Sequence, residues 1–312
     1  MDTALHGGRE RPVPGVVGDD GVPLDVTIRG SRGPTVVFCH GFTVDSRFWE
    51  PQIAALDGHA RIVTWDQRGH GRSGWGEPSH ATVDQTGRDL AAVVDAVAPS
   101  SPVVLVGHSM GGMSILALAR QRPEWFGTRV VGAFLVATSA GDLVREGPLG
   151  LAHDAARRLG LLPALLAGAR VAAPFADTLP WRDSWIGRWT LRRLLFTDDA
   201  TDDEVRDAQS RAEQLPLPVG QAFGAGLLSH DESGAVPVLA RIPVVVVTAV
   251  EDRLTPASHG RRITEAIGPS ARLVEVEHAA HAVSVTHHDV VDAALLDLVH
   301  GVGPGGSVAR GA

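Results

Sequence analysis

Hydrophobic positions along the chain fall into two alternating rhythms. Unbroken apolar runs recur at Thr35-Val-Val-Phe-Cys39, Pro102-Val-Val-Leu-Val-Gly107, Val130 to Val136 and Pro243-Val-Val-Val-Val-Thr-Ala249. Runs of that length without polar alternation predict strands buried on both faces of a parallel sheet. Arg61 to Trp65 and Arg272 to Val276 read as further strands. Between them, apolar residues recur at helical spacing, as at Leu90, Val93, Val94 and Val97 within Thr82 to Val97. Helices are also predicted near Trp49 to Leu56, from Met110 to Arg120, from about Pro256, and from Asp289 to His300. Val13 to Val17 and Leu24 to Arg29, separated by Gly18-Asp-Asp-Gly21, predict a β-hairpin. Residues 1–11 and the Gly-rich tail, Gly301 to Ala312, are expected to be unstructured. No internal repeat is visible. The alternation of strand and helix predicts a doubly wound, mostly parallel α/β sheet with its site at the strands' C-terminal ends.

From Gly141 to Ala235 the rhythm changes. Strand-like runs vanish, and helices are predicted near Leu149 to Ala173, Trp181 to Phe196, Asp202 to Gln214 and Val219 to Leu228. Prolines 148, 163, 174, 180, 216 and 218 punctuate them. The division predicts a core of residues 1–140 and 236–312 with a helical segment, 141–235, inserted into it.

One stretch carries chemistry on its face. Gly107-His108-Ser109-Met110-Gly111 joins an apolar strand to a helix. A sharp turn there exposes the Ser109 hydroxyl at the strand's end, and small residues on both sides let that strained corner form. The helix that follows aims its free N–H groups at any charge developing nearby.

Composition narrows the partners. A net charge of −8 over 312 residues argues against nucleic acid and offers no basic membrane-binding face. No apolar stretch is long enough to span a bilayer, and the first 17 residues show no apolar signal region. A single cysteine, Cys39, excludes an internal disulfide and suits a reducing compartment, so a cytoplasmic location is expected. Lys, Asn and Tyr are absent, in keeping with a GC-rich coding sequence. No lysine can therefore form a Schiff base, and no asparagine can serve an oxyanion hole, which leaves backbone N–H groups. No Cys/His cluster has zinc spacing and no Walker lysine follows a glycine loop, so no metal or organic cofactor is expected.

These pieces resemble the α/β-hydrolase superfamily over nearly the whole chain. The matching elements, in order, are His40-Gly41 after the apolar run 35–39, Asp66-Gln-Arg-Gly-His-Gly-Arg-Ser73, Gly107-His-Ser-Met-Gly-Gly112, Glu251-Asp-Arg-Leu-Thr-Pro256, and a histidine before the last helix. The resemblance implies that the segment 141–235 is a helical cap. It also implies a triad. A serine hydroxyl attacks only when a base removes its proton; a histidine suits that role, and a carboxylate fixes the histidine's tautomer. Ser109 would be the nucleophile, Asp252 the acid and His281 the base. Glu251 and Asp142 remain alternatives for the acid, and His278 for the base. The resemblance places the oxyanion donors at the backbone N–H groups of Phe42 and Met110. His40 and His108 are expected to brace and pack, and Arg68 and Arg72 to hold their loop rather than touch substrate.

The implied activity is hydrolysis of an ester, thioester or lactone through an acyl-enzyme, on a small molecule with an apolar acyl or alkyl part. Ser109 separates the chain from relatives with an aspartate nucleophile. A cofactor-free perhydrolase or haloperoxidase with the same triad, and a ligand-binding protein that kept the fold, are the other two readings. The run Leu159 to Gly168 is a candidate acyl pocket or a packed helix. Trp181, Trp185 and Trp189, at helical spacing, read as packing in preference to a substrate platform.

Overall fold

The computed structural model describes residues 10–143 and 184–302. Its centre is an eight-stranded sheet of β1 (Arg11–Pro12), β2 (Val26–Arg29), β3 (Thr35–Cys39), β4 (Arg61–Trp65), β5 (Val103–His108), β6 (Val130–Val136), β7 (Val244–Ala249) and β8 (Ala271–Val276). The order across the sheet is β1-β2-β4-β3-β5-β6-β7-β8. β1 and β2 join antiparallel, and every pairing from β4 to β8 is parallel.

The unbroken apolar runs explain this. Along β3, Val37 and Cys39 face one layer while Val36 and Phe38 face the other. β5 and β7 divide the same way, with Leu105 and Val246 on the first side and Val106 and Val247 on the second. Each such side chain fully removed from water contributes about 1.5–3 kcal/mol, so both faces must be covered. The first face is covered by α2 (Val83–Val97), α3 (Met110–Gln121) and α7 (Ala257–Ile267), the second by α1 (Glu50–Ala55) and α9 (His288–Val302). α8 (Val283–Thr286) is a single turn before α9. Thr82 caps α2 by accepting the Gln85 N–H, which fixes the start that the sequence predicts.

The predicted N-terminal hairpin forms only in pieces. Val13 donates to Val26 and Leu24 to Val16, but β1 is two residues long. Pro12, Pro14 and Pro23 supply no N–H, so a continuous ladder cannot close there.

Between β6 and β7 lie α4 (Trp185–Leu195), α5 (Asp202–Gln214) and α6 (Leu217–Ser229). Thr201 and Glu204 form a reciprocal capping box at the head of α5. Gly141 and Asp231 pair in an isolated antiparallel bridge, and the Glu232 N–H donates to Ala140. The chain thus leaves the sheet and returns to it at one point. Core packing resumes at once, since Ala235, Val236 and Leu239 join the first-face cluster. The tryptophan stripe does not pack as expected: Trp185 is 76% exposed and Trp189 58%. The predicted helix 149–173, the Leu159 to Gly168 run and Trp181 lie outside the described residues. No helix among those described is long and apolar enough to cross a membrane.

Candidate active site

Ser109 sits between β5 and α3 with φ 51° and ψ −117°. A non-glycine residue at positive φ is strained, and the cost persists only where surrounding contacts impose it. Here those contacts are close. A side chain at Gly111 would meet the Cys39 carbonyl oxygen at 2.0 Å, and one at Gly107 would meet Gly111 at 2.6 Å. Thr138 donates its hydroxyl to the Ser109 carbonyl at 2.7 Å, and the Ser109 N–H donates to Val136 at 3.0 Å. Met110, the first residue of α3, is fully buried. Its N–H belongs to the helix's first turn, which has no partner within the helix.

Asp252 follows β7, in the turn before α7. It accepts N–H bonds on Oδ1 from Leu254 at 2.8 Å and Thr255 at 3.0 Å, and on Oδ2 the Thr255 hydroxyl at 2.8 Å. His281 Nδ1 lies 2.8 Å from the same Oδ2. Both side chains are buried, Asp252 completely and His281 to 7% exposure. Burial pushes the Asp252 carboxyl upward, but His281 and the surrounding donors outweigh it and hold the group below the usual carboxylate range. With Nδ1 engaged by the carboxylate, Nε2 is left as the ring's working nitrogen.

The remaining candidates separate cleanly. His278 stands 88% exposed, 3.6 Å from a half-exposed Glu251. Asp142 is exposed, with φ 59°, beside the Gly141–Asp231 bridge. His40 links two loops, its Nδ1 donating to the Gly41 carbonyl at 2.7 Å and its Nε2 accepting the Gln67 N–H at 2.8 Å. Arg68 is completely buried between Asp89, at 2.6 Å, and Asp20, at 2.8 Å, so it clamps its loop. Arg72 is 70% exposed and paired with Asp25.

Two residues do more than their sequence positions suggest. His108, next to Ser109, reaches the His281 carbonyl with Nε2 at 2.9 Å, and the two rings lie 4.8 Å apart. Burial drives His108 down to about 3, so the ring is neutral and Nε2–H is the donor. Thr255, three residues after Asp252, supplies two of the carboxylate's four contacts. An Asp followed at that spacing by Thr is a turn-forming pattern, and it was the available signal.

Phe42 lies beside Phe223 of α6, ring centroids 6.4 Å apart, and Trp75 lies 6.1 Å from Phe223. Together with Met110, Leu215 and Val219 they form an apolar cluster at the turn between β5 and α3. A separate polar cleft of about 570 Å³ opens beside Asp66, lined by Arg29, Asp45, Arg47 and Arg72. Its arginines are already paired with Glu10, Asp45 and Asp25, and it includes none of the residues around Ser109. Among the described residues, no three His, Cys, Asp or Glu side chains are arranged to hold a metal ion.

Residues 36–294 match the family model described as the alpha/beta hydrolase family. A putative carbamate hydrolase (RutD) from Agrobacterium fabrum is 28% identical over 86% of this chain and 94% of its own length. A pimeloyl-[acyl-carrier protein] methyl ester esterase from Stenotrophomonas maltophilia is 27% identical over 90% of this chain and 97% of its own. The crystal structure of a bromoperoxidase from Bacillus anthracis superposes with a TM-score of 0.73, covering 94% of this chain and all of that one, at 19% identity. At that identity the likeness concerns the fold alone.

Proposed function

The chain belongs to the alpha/beta hydrolase family, and from that premise we propose that it is a serine hydrolase that cleaves a carboxylic ester, thioester or lactone through an acyl-enzyme. The observation that carries this reading is the buried 2.8 Å contact between Asp252 and His281, set in the loops that flank a strained Ser109.

In the first half-reaction, His281 Nε2 takes the proton from Ser109 as its oxygen attacks the substrate carbonyl. The carbonyl π electrons move to oxygen, and the N–H groups of Met110 and Phe42 receive that charge. One such donor is typically worth about 2.7–4 kcal/mol of barrier. The alkoxide or thiolate leaves, taking the proton back from His281, and an acyl ester remains on Ser109. Water then attacks that ester with His281 again as base, and the acid departs. Asp252 stays ionised throughout, holding Nδ1–H and stabilising the imidazolium. Deep burial makes this attraction count, because no water screens it.

The segment 141–235 is the cap in this reading. Its α6 sets Phe223 beside Phe42, so an apolar acyl or alkyl group would rest against the cluster that includes Met110 and Trp75. Relatives with carbamate and methyl ester hydrolase names support the hydrolase class. A fluorophosphonate probe should label the protein once, and Ser109→Ala should abolish the label. Persistent labelling of the variant would overturn the nucleophile. A panel of p-nitrophenyl esters of rising acyl length, run beside a p-nitrophenyl carbamate, should favour the esters; faster carbamate turnover would move the substrate class.

A further inference from the structure

We propose that Thr255 is a positioning residue whose hydroxyl limits the pull of Asp252 on the His281 imidazole. The inference rests on His281 being the base for Ser109, as set out above.

An ionised carboxylate offers about four acceptor directions. At Asp252 all are occupied, two on Oδ1 by the N–H groups of Leu254 and Thr255 and two on Oδ2 by the Thr255 hydroxyl and His281 Nδ1. Hydroxyl and imidazole therefore share one oxygen, each at 2.8 Å. They also approach each other, Oγ1 lying 3.3 Å from Nδ1. As whole residues, backbone included, Asp252, Thr255 and His281 are only 4%, 2% and 5% exposed, so no solvent stands in for a lost donor.

The sharing has a consequence in sign. A donor on Oδ2 draws electron density from it, and that density is what stabilises a proton on the imidazole. With the hydroxyl in place, Asp252 holds the imidazolium less tightly than an unshared carboxylate would. The base then surrenders its proton to the leaving group more readily. The geometry is stiff: Thr255 is β-branched, its N–H is tied to Oδ1, and Pro256 follows it. Among the described residues, the titratable groups in hydrogen-bond or ring contact with His281 are Asp252, from the turn after β7, and His108, from β5. His108 is neutral through the range tested, because burial drives it to about 3.

The experiment compares kcat/KM against pH for wild type, Thr255→Val and Thr255→Ser, with p-nitrophenyl butyrate as substrate. Thr255→Val removes the hydroxyl at nearly constant volume, and Thr255→Ser keeps it. The acidic limb of Thr255→Val should move up by about 0.5 pH unit, roughly a threefold loss on that limb. Thr255→Ser should overlie wild type. If Thr255→Val does not fold, Thr255→Ala makes the same comparison. A limb that stays in place in a folded hydroxyl-free variant overturns the proposal, and so does an equal shift in Thr255→Ser, which would assign the effect to methyl packing. His281→Ala, measured alongside, keeps the two readings apart. If that variant is inactive while the limb is unmoved, only the role of Thr255 fails. If it retains wild-type activity, the triad itself fails.

Discussion

Two histidine–carboxylate pairs join the same two loops. Glu251 faces His278 and Asp252 faces His281, one residue apart on one loop and three on the other. In the first pair the atoms are 3.6 Å apart and the side chains 88% and 49% exposed; in the second they are 2.8 Å apart and nearly sealed from water. Residue type and spacing are almost the same, yet the physics differs. An exposed pair is screened and typically contributes about 0–1 kcal/mol. A buried pair cannot trade its partner for water, so losing one member leaves an uncompensated group. Burial, which sequence order does not display, makes one pair a candidate for chemistry and leaves the other on the surface.

The largest expected effect comes from breaking the buried pair. His281→Ala should lower kcat by about 10⁴-fold or more, as removal of a triad base does. Asp252→Asn should cost about 10⁴-fold, because the amide presents the wrong partner to the imidazole. Ser109→Ala combined with His281→Ala should be little worse than either alone. Multiplying losses in single-turnover assays would mean that His281 does not work through Ser109.

A smaller effect should appear in stability against pH. His70 and His108 are buried and pushed down to about 3 by burial, and His40 is lowered by the same cause. The unfolded chain binds protons at these rings near the ordinary value of about 6.5, whereas the native protein does not. Their contribution is therefore intact above that value and is lost as pH falls towards the folded values, at up to about 1.4 kcal/mol per ring per pH unit. Asp252 acts in the same direction but in a lower window. Its carboxyl is lowered, so its share is present above the unfolded value of about 3.9 and is lost only below it. Urea denaturation at pH 7.5 and pH 5.5 should then show about 2–4 kcal/mol less stability at the lower pH. Equal stabilities would show that these rings accept protons in the native state.

Much of the fold and of the candidate site's arrangement was legible in order along the chain. Unbroken Val runs announced buried parallel strands, because nothing else explains apolar residues facing both ways over so few positions. Gly107 and Gly111 announced the turn at Ser109, because a Cβ added there would come within 2.0–2.6 Å of backbone atoms. What stayed hidden depended on packing across the sequence. The partial hairpin at β1 turned on three prolines whose missing N–H groups matter only once strands are paired. Trp185 and Trp189 repeat at helical spacing but face outward, since a stripe shows which residues share a side and not what covers it. The tether from His108 to the His281 carbonyl crosses 173 positions, and no local pattern announces a bond to a backbone atom that far away.

The smallest expected effect tests the exposed pair at its own strained point. His278 adopts φ 53°, in the left-handed region that a side chain enters only at a cost. His278→Gly removes that cost and also removes a weak, screened contact with Glu251. Glycine brings extra freedom to the unfolded chain, which offsets part of the gain. The variant should therefore be more stable by about 0.5 kcal/mol in urea denaturation. Its kcat/KM should stay within about twofold of wild type, because in the proposed mechanism the buried His281, not the solvated His278, takes the proton from Ser109. Such a result, set beside a crippled His281→Ala, would fix the difference between the pairs as one of burial. A loss of several orders of magnitude in His278→Gly would instead move the base to the exposed ring, and the loop would then have to close over it during turnover.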